Sequence, residues 1–209
     1  FRKSLTSSEL EAFLQRMSLE INFSISRSSD SGGNKWSGDI IFVEYGVESD
    51  THDASRWRGA EVKNHAKELD LDSEKLMSAK IWKYTLAGTL IGWFGNWHEY
   101  TIVESTNWYW TFEKQMDALY VQRAKEYSYV KDLIEGKRRS KYSIRDEGRE
   151  CKNITFGETI ADVISWIVAN GELEKSYHLT QSNCHYFASR VYEAITRTAG
   201  KRLDIVKHN

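Results

Sequence analysis

Residues 177–188 read Tyr-His-Leu-Thr-Gln-Ser-Asn-Cys-His-Tyr-Phe-Ala, and the residues that follow predict a helix that begins at the cysteine. Ser182 and Asn183 are of the types that cap helix N-termini, and Gly200 is of the type that ends helices. One face of this helix carries the residues at i, i+3, i+4, i+7 and i+11, namely Cys184, Phe187, Ala188, Val191 and Ile195. We therefore expect the thiol to point inward, at a helix end whose free N–H groups lower a thiol pKa.

A cysteine at this position has two interpretations. Reactive thiols occur at helix N-termini, but a cysteine on an apolar helix face can also serve as a small buried hydrophobic residue. The other cysteine is Cys151, and two cysteines do not form a disulfide framework. Free thiols favour a reducing compartment such as the cytoplasm, although one bridge could form outside the cell. The chain starts at Phe1 without an initiator Met, so we expect a trimmed or mature fragment whose targeting segment is missing.

The composition is typical of an ordinary globular protein. The 209 residues are 40% hydrophobic and 28% charged, and we expect one α+β domain over residues 1–209. Lys and Arg total 29 against 30 for Asp and Glu, a balance that gives no general attraction to nucleic acid or to an anionic membrane. No apolar run reaches the ~18 residues of a membrane span, and no group of His, Cys and Asp has the spacing of metal ligands. We therefore expect no metal ion and no other cofactor.

The first part of the chain alternates apolar and polar segments. A capping box at Thr6 and an apolar stripe predict a helix over 6–17, and strict alternation predicts a strand over 19–25. After a loop rich in Ser and Gly, the apolar residues 40–43 predict a buried strand. The polar, helix-prone residues from about 50 to 80 predict a helical insertion into the sheet.

The aromatic segment from Trp82 to Trp97 also has two interpretations. Its apolar residues and glycines are typical of strands in a core sheet. Its tryptophans are typical of a patch that contacts lipid, because tryptophan favours membrane interfaces.

The second half predicts a meander followed by helices. Short turns separate three predicted antiparallel strands over 98–105, 108–113 and 118–123. Helices are predicted over 127–134 and 158–169. The basic run 137–141 lies between them, and we favour a solvated loop over a phosphate-binding site for it.

A catalytic thiol needs a nearby base, and histidine is the commonest one. His98 is the strongest candidate because it begins a predicted core strand directly after a glycine-containing turn. His185 lies about 100° around the helix from Cys184 and is expected to point elsewhere. His178 precedes the helix and is expected to pack or cap there. The remaining histidines lie in polar or terminal segments, at His52, His65 and His208.

The predicted hairpin supplies a candidate partner for the imidazole. If residues 106 and 107 form its turn, Tyr100 pairs with Glu113, and Glu113 lies diagonally opposite His98 on the same face. A carboxylate there could hold one tautomer of the imidazole. The alternative for Glu113 is a salt bridge with Lys114 or with a neighbouring strand. Two other residues on that face could also orient the ring, Gln115 and Thr111.

These features resemble one known family. Residues 183–187, Asn-Cys-His-Tyr-Phe, resemble the Asn-Cys-x-x-Phe signature of lecithin:retinol acyltransferase-like proteins, which belong to the circularly permuted branch of the NlpC-type papain-like superfamily. Residues 38–41, Gly-Asp-Ile-Ile, are similar to the Gly-Asp-Leu-Ile that opens their first strand. His98 at the start of a strand resembles their histidine strand, and its position before Cys184 is the permuted order. The family's third polar residue, often a second histidine, maps to Glu113.

The resemblance implies a permuted papain-like fold, in which an antiparallel sheet packs against the helix bearing the cysteine. It also implies acyl transfer without a cofactor. Cys184 would attack an acyl carbonyl as a thiolate, His98 would take the thiol proton and then protonate the leaving group, and Glu113 would orient His98. A backbone N–H at the start of the Cys184 helix would stabilise the oxyanion. The thioacyl-enzyme would then pass its acyl group to water, a lipid or an amine.

Three functions stay open at this point. The first is a thiol acyltransferase or lipid acyl hydrolase, whose segment from Trp82 to Trp97 contacts acyl chains at a membrane surface. The second is a cysteine peptidase or amidase of toxin or effector type on the same scaffold. The third is a non-catalytic interaction domain. The expected substrates are thus an acyl-lipid or a peptide or amide, no nucleic-acid partner is expected, and the oligomeric state is open.

Overall fold

The computed structural model describes much of the chain between residues 35 and 197. The described residues are 35–46, 52–85, 97–139, 145–152, 154, 158–178 and 182–197. From Trp36 onward they belong to one compact unit, Trp36–Asn209. The helix predicted over 6–17 and the strand predicted over 19–25 lie outside the described residues. The single domain predicted over 1–209 is therefore described only in part.

Most of the described residues belong to one large sheet and the helices around it. The strands are β1 (Ile40–Tyr45), β2 (His52–Trp57), β3 (Leu76–Thr85), β4 (Trp97–Ser105), β5 (Tyr109–Lys114), β6 (Leu119–Ala124), β7 (Leu133–Ile134), β8 (Lys137–Arg138) and β9 (Arg145–Lys152). The helices are α1 (Glu61–Glu68), α2 (Tyr127–Asp132), α3 (Ile160–Ala169) and α4 (Cys184–Arg197).

The large sheet has seven strands in the order β2-β1-β6-β5-β4-β3-β9, and β7 and β8 form a separate hairpin. Strands β1 and β6 are parallel, and the other neighbouring pairs of the sheet are antiparallel. The described part of the chain therefore has the predicted α+β architecture, with a mostly antiparallel sheet.

The meander follows the sequence prediction closely. Strands β4, β5 and β6 begin and end within one residue of the predicted bounds. In the β4–β5 hairpin Thr101 pairs with Phe112 and Glu104 with Tyr109, and the N–H of Ser105 donates to the carbonyl of Trp108 at 2.8 Å. This is the predicted register, and it confirms that a two-residue turn closes the hairpin.

The helical insertion predicted over about 50–80 is wrong for much of its length. Among the described residues of this range only α1 is helical, since residues 52–57 form β2 and β3 begins at Leu76. Strand β2 is an exposed edge strand with little apolar alternation, so pairing with β1 maintains it rather than local propensity. Its one buried side chain, Trp57, stacks on Phe42 of β1 with ring centroids 4.6 Å apart.

Helices cover both faces of the sheet. Val62 of α1, Ile164 of α3 and Val191 of α4 belong to one apolar cluster on the first face. On the second face, Tyr100 of β4 packs in another cluster with Val130 of α2. Strand β4 therefore contacts a helix on each side, because its side chains alternate between the two faces.

Hydrogen bonds anchor two of these helices to the sheet. The hydroxyl of Thr101 donates to the carbonyl of Ala188 in α4 at 2.9 Å, and the hydroxyl of Tyr100 donates to the carbonyl of Lys131 in α2 at 2.8 Å. Helix α3 begins with a reciprocal capping box between Thr159 and Asp162, close to its predicted start. The helix predicted over 127–134 begins at Tyr127 as predicted but ends at Asp132, because residues 133 and 134 form β7.

The aromatic segment from Trp82 to Trp97 is described only at its two ends. Trp82 lies in β3 and packs against the second apolar cluster, and Trp97 begins β4. Residues 86–96, which include Trp93 and Phe94, lie outside the described residues.

Candidate active site

The predicted nucleophile begins its helix as expected. Helix α4 starts at Cys184, and the side-chain oxygen of Asn183 accepts the N–H of Tyr186 at 3.1 Å, which is the N-cap contact. Such a cap typically stabilises a helix by about 1 kcal/mol. The predicted inward face is buried along its length, at Cys184, Phe187, Ala188, Val191 and Ile195.

The start of β4 meets the start of α4, and this contact brings the predicted base to the thiol. The imidazole of His98 is hydrogen-bonded to the thiol of Cys184, and both residues are only 3% exposed. The backbone of Glu99 makes a second hydrogen bond to the same sulfur. The two side chains are 86 positions apart in the sequence, so only the packing of α4 on the sheet brings them together.

The two groups shift each other's ionisation. Burial alone would raise the pKa of the Cys184 thiol, but the hydrogen bond and charge of His98 and the backbone of Glu99 lower that pKa to about 7. Burial alone would lower the pKa of His98, but the Glu113 carboxylate and Cys184 raise it to about 9. Both shifts favour a thiolate beside an imidazolium, the ionised form that a thiol nucleophile needs.

Glu113 is fully buried and lies against the other side of the imidazole. Its Oε1 is 2.9 Å from Nε2 of His98, across the hairpin whose register was predicted. The hydroxyl of Tyr84 donates to the same oxygen at 3.3 Å, and the side-chain amide of Gln115 also donates to it. Because Nε2 is engaged by the carboxylate, Nδ1 is the ring nitrogen left for the thiol of Cys184.

Of the alternative contacts considered for Lys114, Thr111 and Gln115, only that of Gln115 is observed. Lys114 does not pair with Glu113, because its ammonium donates to the carbonyl of Lys175 at 2.5 Å and to the hydroxyl of Ser182 at 2.7 Å. Thr111 donates its hydroxyl to the carbonyl of Val130 at 2.7 Å. Gln115 does reach the ring, since its amide nitrogen is 3.4 Å from Nε2 of His98.

Arg139 is a site residue that the sequence prediction missed. The basic run 137–141 was expected to be a solvated loop, and Lys137 and Arg138 are indeed exposed, but the Arg139 side chain is fully buried and ion-pairs with Glu113. Burial alone would raise the pKa of Glu113, but Arg139 and His98 lower it to about 2. Nothing in the basic run distinguishes Arg139 from its neighbours, because the buried carboxylate that it meets lies on another strand.

Tyr177 is a second missed residue. Its hydroxyl donates to the sulfur of Cys184 at 3.7 Å and is also hydrogen-bonded to the backbone of Cys184. Burial is the main cause that raises the pKa of Tyr177 well above its usual value, and the nearby Cys184 is the second. The hydroxyl therefore keeps its proton. A donor O–H thus lies beside the thiol, where an acyl oxygen would develop negative charge.

The two histidines nearest to Cys184 in the sequence lie outside this chain of contacts, as predicted. Nδ1 of His185 lies 2.9 Å from Oε1 of Glu99, and this hydrogen bond is the main reason that the pKa of His185 is raised. Glu99 also meets Arg149 at 3.5 Å. His178 is exposed. Its backbone exchanges hydrogen bonds of 2.9 and 3.0 Å with that of Ser182, just before α4 begins.

Searches for other features and for relatives were negative. Within residues 35–197, as far as they are described, no group of three or more His, Cys, Asp or Glu side chains could hold a metal ion. Among the helices described above, none combines the length and apolar character needed to cross a membrane. Comparisons with protein-family models, with curated proteins and with solved structures found no match.

Proposed function

We propose that the protein is a cysteine-dependent acyl-transfer enzyme, either an acyltransferase or a lipid acyl hydrolase, with a permuted papain-like fold. Cys184 is the nucleophile, His98 the general base and Glu113 the residue that orients His98. The observation that carries the proposal is the unbroken series of contacts from thiol to imidazole to carboxylate inside a buried site. The motif at 183–187, which resembles that of lecithin:retinol acyltransferase-like proteins, supports the same assignment.

The first half of the reaction forms a thioester. The Cys184 thiolate attacks the acyl carbonyl carbon and forms the C–S bond, while the carbonyl oxygen becomes an oxyanion. As the C–S bond forms, the Tyr177 O–H, which donates to the sulfur at 3.7 Å, can turn to this oxyanion. When the intermediate collapses, the bond to the leaving group breaks and the His98 imidazolium transfers its proton to that group. The acyl-enzyme then holds a thioester beside a neutral imidazole.

The second half releases the acyl group. Neutral His98 takes a proton from water, a lipid hydroxyl or an amine, and that acceptor attacks the thioester carbonyl. The C–S bond then breaks, and the thiolate and imidazolium are restored. Glu113 remains ionised throughout, because its role is to fix the ring and stabilise the imidazolium rather than to exchange protons.

The polar surroundings of the thiol argue against a purely structural cysteine. A buried structural cysteine packs among apolar side chains, whereas His98, Tyr177 and the backbone of Glu99 all hydrogen-bond to the sulfur of Cys184. Burying the ionisable groups of Cys184, His98, Glu113 and Arg139 together lowers the stability of the fold. Such sites are found where chemistry needs shifted pKa values.

Acyl-enzyme trapping tests the proposal. The protein is incubated with a long-chain activated ester, such as a palmitoyl nitrophenyl ester, and the adduct is mapped by mass spectrometry. We expect a thioester on Cys184 in the native protein and in the matched variant Cys151→Ala, and none in Cys184→Ala. The last variant should unfold at nearly the native temperature, since it removes one sulfur from a polar site.

Two further outcomes distinguish the alternatives. Labelling of Cys184 by a peptidyl vinyl sulfone, with none by long-chain esters, would assign the site to a peptidase or amidase. If neither probe labels Cys184 and its reactivity near pH 7 is that of an ordinary thiol, the protein is a non-catalytic interaction domain. Equal loss of labelling in Cys151→Ala would instead mean that Cys151 is the nucleophile.

A further inference from the structure

The Glu113 carboxylate has a cation on each side. His98 contacts Oε1 at 2.9 Å, and Arg139 contacts Oε2. None of the three side chains is more than 3% exposed. A chain of alternating charges therefore runs through the interior, with the guanidinium, the carboxylate, the imidazolium and the thiolate of Cys184 in that order.

We propose that Arg139 is a positioning residue of this site, whose buried charge keeps Glu113 ionised and thereby holds His98 and Cys184 as an imidazolium–thiolate pair. This inference rests on the proposed function, because it assigns a role within the same site. Arg139 acts through Glu113 and has no contact with the reacting atoms in this scheme.

Charge balance explains why a fixed cation is needed. With Arg139 present, two positive and two negative groups alternate and the buried cluster is neutral. Without Arg139, the same ionised His98, Glu113 and Cys184 would carry one uncompensated negative charge, which is costly in a buried site. The least costly response is for Cys184 to keep its proton. A guanidinium suits this role because it stays charged at any pH a protein tolerates.

The other groups around Glu113 cannot replace this charge. Tyr84 and Gln115 donate neutral hydrogen bonds to Oε1, and burial together with the nearby Glu113 keeps Tyr84 protonated by raising its pKa. The guanidinium carbon of Arg139 lies 4.1 Å from the centroid of the Tyr100 ring, which adds a cation–π contact.

The other groups around the thiol are also accounted for. His98 and the backbone of Glu99 face it from β4, Tyr177 faces it from the segment before α4, and His185 lies beside it on α4 itself. His185 is 41% exposed and is paired with Glu99, so water and the Glu99 carboxylate screen its charge.

A short hairpin holds Arg139 in place. The β7–β8 turn at Glu135 and Gly136 has positive φ at both residues, 46° and 71°, as in a two-residue turn that joins antiparallel strands. The N–H of Gly136 donates to the hydroxyl of Tyr45 at 3.1 Å, and that of Glu135 to the side chain of Gln122 at 3.1 Å. The N–H of Arg139 then donates to the carbonyl of Asp132 at 2.8 Å.

The pH dependence of Cys184 alkylation tests the inference without any substrate. Iodoacetamide reacts with thiolates, so its rate against pH gives the midpoint of thiol ionisation. All proteins carry Cys151→Ala so that one thiol is followed. In Arg139→Gln we expect the midpoint to rise by about one pH unit or more. Arg139→Lys keeps the charge and should stay within a few tenths of a unit. Arg138→Gln removes an exposed charge from β8 and should change nothing.

The outcomes separate this inference from the proposed function. A native midpoint of ~8.5, the value of an ordinary thiol, would overturn the proposed function itself. A low native midpoint that Arg139→Gln leaves unchanged would overturn only the role of Arg139. The same conclusion holds if Arg139→Lys shifts the midpoint as far as Arg139→Gln, because geometry rather than charge would then decide.

A double variant keeps the test decisive if Arg139→Gln does not fold. Glu113→Gln with Arg139→Gln removes both members of the pair and leaves no unpaired buried charge between them. We expect this variant to fold and its alkylation midpoint to lie about one pH unit or more above the native value. A native-like midpoint in the double variant would overturn the role assigned to the pair.

Discussion

Two clusters of the same composition lie near Cys184. Glu113 contacts His98 and Arg139, and Glu99 contacts His185 and Arg149. The His–Glu distance is 2.9 Å in both clusters.

The two clusters differ in burial as well as in geometry, since Glu113 meets Nε2 of His98 and Glu99 meets Nδ1 of His185. His98 and Glu113 have side chains that are 3% and 0% exposed, whereas those of His185 and Glu99 are 41% and 11% exposed. Charges in the interior interact strongly because water cannot screen them, and an exposed ion pair contributes at most ~1 kcal/mol. The comparison teaches that two His–Glu contacts of equal length can differ widely in how strongly their charges interact.

The largest expected effect breaks the buried cluster at its histidine. His98→Gln should slow formation of the Cys184 thioester by about 10² to 10⁴, the usual contribution of a positioned acid–base group. The matched change His185→Gln should slow it by less than about fivefold, because His185 is 41% exposed and water screens its charge. Pre-steady-state acylation rates measure both, and equal losses would contradict the distinction between the two clusters.

The next effect is on stability. Glu113→Gln leaves Arg139 buried without its carboxylate and should lower the free energy of unfolding by about 3–5 kcal/mol. Glu99→Gln leaves only partly exposed cations and should lower it by at most ~1 kcal/mol. Urea denaturation compares the two variants. If Glu99→Gln lowers the free energy of unfolding more than Glu113→Gln does, water does not screen the charges around Glu99 as inferred.

The smallest effect is the pH dependence of stability. The pKa of His98 is raised to about 9 in the folded protein, so its stabilising contribution is fully present below the unfolded value of ~6.5 and is lost as the pH rises through 9. The stability difference between the native protein and His98→Gln should therefore shrink between pH 7 and 10. The corresponding stability difference for His185→Gln should shrink less over the same range. If the stability difference for His98→Gln grows with pH, the ionisation assigned to His98 is wrong.

Local patterns in the sequence were sufficient for several parts of the site. The cap at Asn183 and the inward face of α4 follow from spacing within one helix, and the His98–Glu113 contact follows from the register of one hairpin. These features depend on neighbours a few residues away, so periodicity and turn chemistry predict them.

Other parts depend on contacts between distant segments. Arg139 and Arg138 are the same residue type in one basic run, yet one is buried against Glu113 and the other is exposed. Tyr177 lies in the stretch that suggested the nucleophile, but nothing local shows that its hydroxyl meets the sulfur. Strand β2 was mistaken for helix because its sheet partner, rather than its own composition, makes it a strand.

The sequence by itself determined where the cysteine helix begins, which of its faces is buried and which carboxylate lies across the hairpin from His98. Only the tertiary structure decided that α4 lies at the start of β4, that Arg139 balances Glu113 and that one of the two His–Glu pairs is buried. The physical reason is that helix and hairpin geometry are set by residues close in sequence. The strength of a charge interaction is set instead by how much water the whole fold excludes around it.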